Sequence, residues 1–366
     1  MKRALVVALL LCVIVSVSQA QHPLSLDNGP GSYSTISVIS PGGNYLLPAG
    51  NGTILTSASV GSIAWVLGGN TAPPSNILGT LSATNVDVRT NNTTQLTVLS
   101  SGGINLPSTA ASGVGVIFQN GGLLIHSFGT NNFFAGPNAG NLTMTGVDNV
   151  AIGFNAASSL TIGSTSIAIG SRALQNNTNG YSNTAIGYSS LQFNGTGFQN
   201  TAVGASTLQY SQGDNNTAFG YSVMQNTTTG TSNTAAGSFA LMNNASGNAN
   251  CAYGSGALMS TDAGLNSGFG ASALSLNTTG TRNTAIGYDA LFSSNNNDNT
   301  AVGANALLLN TTDNTTAVGS DALRNNTTGL ENTAVGYTAL QSNVIGNYNT
   351  AVGSRALAAN TAGGNT

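Results

Sequence analysis

Apolar and small residues recur along most of this chain in one fixed order. Asn is followed by Thr, Ala, an aliphatic or aromatic residue and Gly, and a Leu stands four positions after that Gly. The phrase NTAIGYSSL runs from Asn183 to Leu191 and returns as NTAVGASTL at Asn200, NTAIGYDAL at Asn283 and NTAVGYTAL at Asn332. The larger residue before Gly (Ile152, Ile169, Ile186, Val203, Phe219) alternates with small Ala, the period-two pattern of a strand. The Asn-, Gly- and Thr-rich remainder of each unit supplies turns.

The Gly of the phrase measures the repeat. It falls at Gly153, Gly170, Gly187, Gly204, Gly220, Gly237, Gly254, Gly270, Gly287, Gly303, Gly319, Gly336 and Gly353, at gaps of 16 or 17 residues. Leu follows at the fourth position in all of these units except those with Ala157 and Met224. Every one-residue slip lies between Leu and the next Asn, so that stretch reads as a loop and the phrase as a fixed rung. A unit this short accommodates two short strands and two turns. The expected fold is all-β, a narrow parallel β-solenoid of 16–17-residue coils, because the familiar helical and leucine-rich repeats need longer periods. Helices are disfavoured further by the density of Gly, Asn and Thr.

Composition narrows the possible partners. Charged residues make up 5% of the chain and the formal net charge is -3. No basic stripe is present for nucleic acid, and a partner is expected to be held by shape and neutral polar contacts.

At NVAIG (Asn149 to Gly153) and SIAIG (Ser166 to Gly170) the sequence resembles the head repeats of trimeric autotransporter adhesins. The longer NTAVGYxAL form is similar to repeats of phage and giant-virus tail-fibre-like proteins and related bacterial surface proteins. The resemblance covers residues 132–366. It implies a left-handed parallel β-roll, three chains side by side, and adhesion to an extracellular glycan, matrix protein or host surface. The anchor β-barrel, heptad stalk and chaperone-like or self-cleaving C-terminal domain of those proteins are not legible here. The closing GGNT stands where another NTAVG is due, so the native chain is expected to continue.

Four segments are expected. Residues 1–20 combine Lys2 and Arg3 with an apolar run and a Ser18-Gln19-Ala20 ending, the signature of a secretory signal peptide. The protein is therefore expected to be secreted, extracellular or at a cell surface, and no other stretch is apolar and long enough to span a bilayer. Residues 21–48 form a Gly/Pro/Ser-rich leader, and residues 49–131 a β-rich neck or capping module. Within that module, apolar runs flank Asn120-Gly121 as a hairpin signal. Residues 132–366 hold the solenoid, one degenerate coil at Asn132 to Gly136 followed by about thirteen full ones, roughly 60 Å of rod at strand spacing.

Chemistry is sparse. His22, His126 and the single mature cysteine, Cys251, make no zinc ligand set, and His126 reads as a strand residue rather than a base. No G-x-S-x-G elbow, P-loop, dinucleotide fingerprint or regular calcium-binding Asp is present. No catalytic residue, cofactor or metal is assigned, and the protein is expected not to be an enzyme.

Two columns remain. The first consists of the Asn residues that open each unit (Asn183, Asn200, Asn216, Asn233, Asn283, Asn299, Asn332, Asn349). With Gly187, Gly204, Gly220, Gly237, Gly287, Gly303, Gly319, Gly336 and Gly353, they are expected to form a structural ladder. Beside them stands a Thr column (Thr184, Thr201, Thr217, Thr234, Thr284, Thr300, Thr316, Thr333, Thr350), a candidate surface whose flanking Ile and Val favour burial between chains. Sequons follow Leu at Asn176, Asn226, Asn244, Asn277 and Asn310, either glycan acceptors or turn chemistry. The leading expectation is a trimeric adhesin-like or fibre-like binding rod. An ice- or surface-binding solenoid using the Thr column is a second reading, and a structural envelope or matrix filament a third.

Overall fold

The computed structural model describes residues 35–37, 44–46, 85–107 and 115–365. The expected signal peptide and the segment around Trp65 lie outside the described residues. Strands β1 (Thr35–Ser37) and β2 (Asn44–Leu46) pair antiparallel. Strands β3 (Val86–Thr90), β4 (Thr93–Val98) and β5 (Ile104–Asn105) form a three-stranded sheet, in which the Thr97 hydroxyl donates to the Asp87 carboxylate at 2.7 Å.

The remaining strands form one sixteen-stranded sheet. It begins with a hairpin of β6 (Ile117–Gln119) and β7 (Gly122–His126). Asn120 and Gly121 between them have φ of 49° and 79°, the pair of left-handed residues that a tight hairpin turn requires. Strand β7 pairs antiparallel with β8 (Phe133–Ala135). From β8 onward every pairing is parallel, through the three-residue strands from β9 (Val150–Ile152) to β21 (Thr350–Val352). Thr184, Thr201 and Thr217 stand in register, as do Ala185, Ala202 and Ala218. Identical positions stack because the only length variation lies in the loops. Among the described residues no helix occurs, and the all-β parallel solenoid expected from the repeat is the architecture observed.

Burial divides the phrase cleanly. In the strands from β9 onward the middle residue, Ala in every one but β16 with its Gly268, points inward and is buried, as at Ala185, Ala285 and Ala334, while the residues on either side face out. The core is completed by a second Ala and the Leu of each coil, for example Ala290 and Leu291. A single coil encloses too little apolar surface to hold itself together, whereas the stack buries one continuous column.

The second half of the coil departs from expectation. No second strand forms there. Gly187 accepts from the Ser190 amide and Leu191 from the Asn194 amide, so the chain turns twice in quick succession. Leu191 sits at φ 48°, and the equivalent Leu258, Leu291 and Leu340 lie at 52°, 50° and 52°. A left-handed backbone costs a bulky residue about 1–2 kcal/mol. Full burial of the Leu side chain contributes about 1.5–3 kcal/mol, and the Leu191 amide donates to Thr207 of the next coil at 3.0 Å. The left-handed Leu rounds a corner too tight for extended chain and still fills the core.

Gly287 shows why its column admits nothing else. Its φ is +136°, and a Cβ there would lie 2.6 Å from the carbonyl of Gly303 in the next coil.

Candidate binding face

The Asn that opens each coil enters the interior and bonds in two directions. The Asn200 amide nitrogen of the backbone donates to Asn183 Oδ1 at 3.0 Å, and Asn200 Oδ1 accepts from the Asn216 backbone at 2.9 Å. Asn200 Nδ2 donates to the Gly213 carbonyl at 2.8 Å, closing the loop of its own coil. Asn216, Asn233, Asn332 and Asn349 make the same loop-closing bond to Gly230, Gly247, Gly346 and Ala362, and Asn283 makes it to Asn296. All these Asn side chains are buried. Ser166 keeps the column going by accepting from the Asn183 backbone at 3.2 Å. The coil of Asn299 is the exception. Thr312 occupies the place of the loop Gly, its hydroxyl bonds Asn310 Oδ1 and the Gly329 carbonyl, and Asn299 Nδ2 is buried without a partner.

Since Asn and Ala point inward, the residues between them point out. The Thr column therefore lies on the outer face of the sheet, half-buried from Thr184 to Thr333 and exposed at Thr350. The column two residues on is apolar: Ile186 is 37% exposed and Ile286 43%, with Val203, Phe219, Tyr253, Phe269 and Val335 in register between and beyond them. Tyr188, Tyr221, Tyr288 and Tyr337 follow the Gly at the edge of this face and are more than half exposed. Neither column contains a charged residue between Thr184 and Val352. The result is a neutral strip of hydroxyl, methyl and ring surface at a spacing of ~4.8 Å.

Cys251 occupies a Thr position in this strip, between Thr234 and Ser267. Burial raises its thiol pKa, which keeps it protonated and unreactive near neutrality. His126 is buried at the end of β7. Its Nε2 meets the Ala139 carbonyl at 2.9 Å and the Phe128 amide donates to Nδ1 at 3.4 Å, which fixes the neutral tautomer with the proton on Nε2. Burial lowers its pKa, with the Ala139 bond opposing. Among the described residues no group of three His, Cys, Asp or Glu could hold a metal ion, and no helix is long and apolar enough to cross a membrane. The sequons divide in two. Asn244, Asn277 and Asn310 are fully buried with Nδ2 donating to Gly247, Gly280 and Thr312 carbonyls, so the folded coil withholds them from modification. Asn176 and Asn226 are half-buried.

One column escaped the sequence reading. Gln175, Gln192, Gln209 and Gln225 follow Leu or Met in four successive coils, and their amides bond head to tail at 2.8–3.0 Å. The signal was available as four consecutive Gln at one repeat position. Comparison with known protein families, with curated proteins and with solved structures finds no match.

Proposed function

We propose that this protein is a secreted or surface-displayed, non-enzymatic binding rod of the adhesin-like or fibre-like kind. It works as a homotrimer whose chains cover one another's outer sheet faces and make multivalent contacts with a glycan, matrix protein or host surface. The observation that supports this reading is the uncharged Thr and Ile/Val strip, which continues in register along the whole repeat region. Apolar strips of such length on soluble chains mark interaction surfaces, and covering this one with identical copies leaves the loops and corners of every coil for ligand. Repetition then favours many weak, equivalent contacts acting together.

Light scattering on the chain from residue 21 onward tests the assembly. A mass of three chains is expected, falling to one chain in Ile286→Asp, which sets a charge in the middle of the strip. Cys251 provides a second reading of the same geometry, because two of the three thiols brought together around a threefold axis are expected to join as one inter-chain disulfide with a mild oxidant at alkaline pH, where the buried thiol ionises. A stable monomer with the strip open to water overturns the trimeric rod. It favours instead a solenoid that orders water on its Thr column, read directly as thermal hysteresis.

A further inference from the structure

A repeat makes every coil equivalent, so a cluster of departures in adjacent coils marks a place where something beyond folding is selected. The Gln ladder is such a departure. The position after Leu or Met224 is Gln in the four coils from residue 175 to 225, changes to Met242, Met259, Ser275, Phe292, Leu308 and Arg324 in the coils that follow, and returns singly as Gln341. At the next position, the two central coils carry Phe193 and Tyr210, the only aromatic residues there, where other coils have Asn226, Asn243, Ser260 or Ser293 and, in two coils, Leu276 and Leu309. The two rings stack with centroids 5.1 Å apart and planes 5° from parallel, and both remain more than a third exposed. Their backbones are held by the coil stacking itself, the Phe193 amide donating to the Gln209 carbonyl at 2.9 Å.

The chemistry of this patch is specific. Each Gln amide has two N–H donors and an oxygen with two lone pairs. The ladder uses one donor and one lone pair at each inner rung, leaving one of each, repeated at the coil spacing. A column of paired donor and acceptor beside apolar ring surface matches a vicinal diol, which donates and accepts from neighbouring oxygens, carried on a sugar ring whose C–H face is apolar. A ladder that is buried at Gln192, half-buried at Gln175, Gln209 and Gln225, and bonded to its neighbours also loses little side-chain entropy on binding. No charged residue stands in either column over these coils, which favours a neutral polymer over an anionic one.

We infer that the Gln175–Gln225 ladder with Phe193 and Tyr210 is a binding site for a neutral glycan chain lying along the rod axis. This rests on the reading of the protein as a displayed binding rod and names its ligand class and site.

The repeat supplies fold-compatible substitutions for the test. Phe193→Ser with Tyr210→Ser places at each site the residue that Ser260 and Ser293 represent elsewhere, and Gln192→Met with Gln209→Met copies Met242 and Met259. Tyr348→Asn, at an exposed loop tyrosine outside both the ladder and the sheet face, is the control. Affinity electrophoresis of the full chain in gels containing β-glucan, xylan, mannan or starch is expected to show retardation by at least one polysaccharide. Binding should weaken at least tenfold in both double variants and stay unchanged in the control, with circular dichroism preserved throughout. Absence of retardation in all four gels overturns the inference, as does retardation equal in wild type and both double variants, or binding confined to an anionic polysaccharide such as heparin. The molar mass of the same samples reports separately on the trimeric rod, so the two ideas fail independently.

Discussion

Removing one rung of the Asn ladder is the sharpest perturbation available. In Asn200→Ala the Asn216 amide loses its acceptor and the Gly213 carbonyl its donor, contacts of 2.9 and 2.8 Å at a side chain that is fully buried. A buried polar group left unpaired costs about 1–3 kcal/mol, so the expected loss is about 2–6 kcal/mol. Asn200→Ser is the calibrating variant, because Ser166 shows that a Ser in the column still accepts from the next backbone amide. Its hydroxyl is too short to reach the loop carbonyl, so it should lose about half as much. A solenoid unfolds locally as well as globally, so one melting curve does not isolate a single coil. Hydrogen exchange at the Asn216 amide does, since protection converts to a local opening free energy. Protection there should fall in the order wild type, Ser, Ala, with distant coils unaffected. Equal protection in wild type and Ala, or a Ser variant worse than Ala, would refute the view that ladder bonds rather than Ala and Leu burial hold the coil mouth shut.

Other outcomes follow from named residues. Gln199 is exposed at φ 56°, and Gln199→Gly should stabilise its coil by up to about 1 kcal/mol, the strain relieved less the added chain entropy, seen as increased exchange protection. Thr312→Gly combined with Thr315→Asn gives Asn299 Nδ2 its missing carbonyl geometry and should stabilise that coil by about 1 kcal/mol. Unchanged protection at residues 299–316 counts against it. His126 is held neutral, with a folded pKa below the ordinary value of about 6.5. Its contribution is therefore fully present above that value and is lost as pH falls through the lowered one. Protection at β7 and β8, taken relative to the intrinsic exchange rate at each pH, should fall on acidification in wild type, and lose that dependence in His126→Gln.

Much of this was legible in the sequence, for definable reasons. The Gly column could be followed by eye because both its left-handed φ and the closeness of the next coil forbid any side chain, as Gly287 and Gly303 illustrate. The Asn column was equally plain, since one side chain has to meet a backbone donor and a backbone acceptor at once. The orientation of the strand was not legible. Ala185 and Ile186 are both apolar, and only the narrowness of the coil decides that the small one goes inside. The second half of the coil was misread for a related reason. Leu191 announces a core position but says nothing of its backbone, and a buried Leu on a left-handed corner looks identical in sequence to a buried Leu on a strand. The inner column at Asn244, Asn277 and Asn310 was hidden behind the same ambiguity, because an Asn before a Thr or Ser is both a turn former and a glycan acceptor.

The ladders also give the molecule an electrical direction. Backbone carbonyls in a sheet alternate and their dipoles largely cancel. The side-chain amides here do not alternate. Asn183 and Asn200 each aim Oδ1 at the following coil, and Gln192 and Gln209 each aim Nε2 at the preceding one. Their moments add head to tail, as peptide units do in a helix, with the negative pole toward higher residue numbers. A molecule almost without formal charge thus carries a vector along its length, and parallel copies set side by side meet with like poles together.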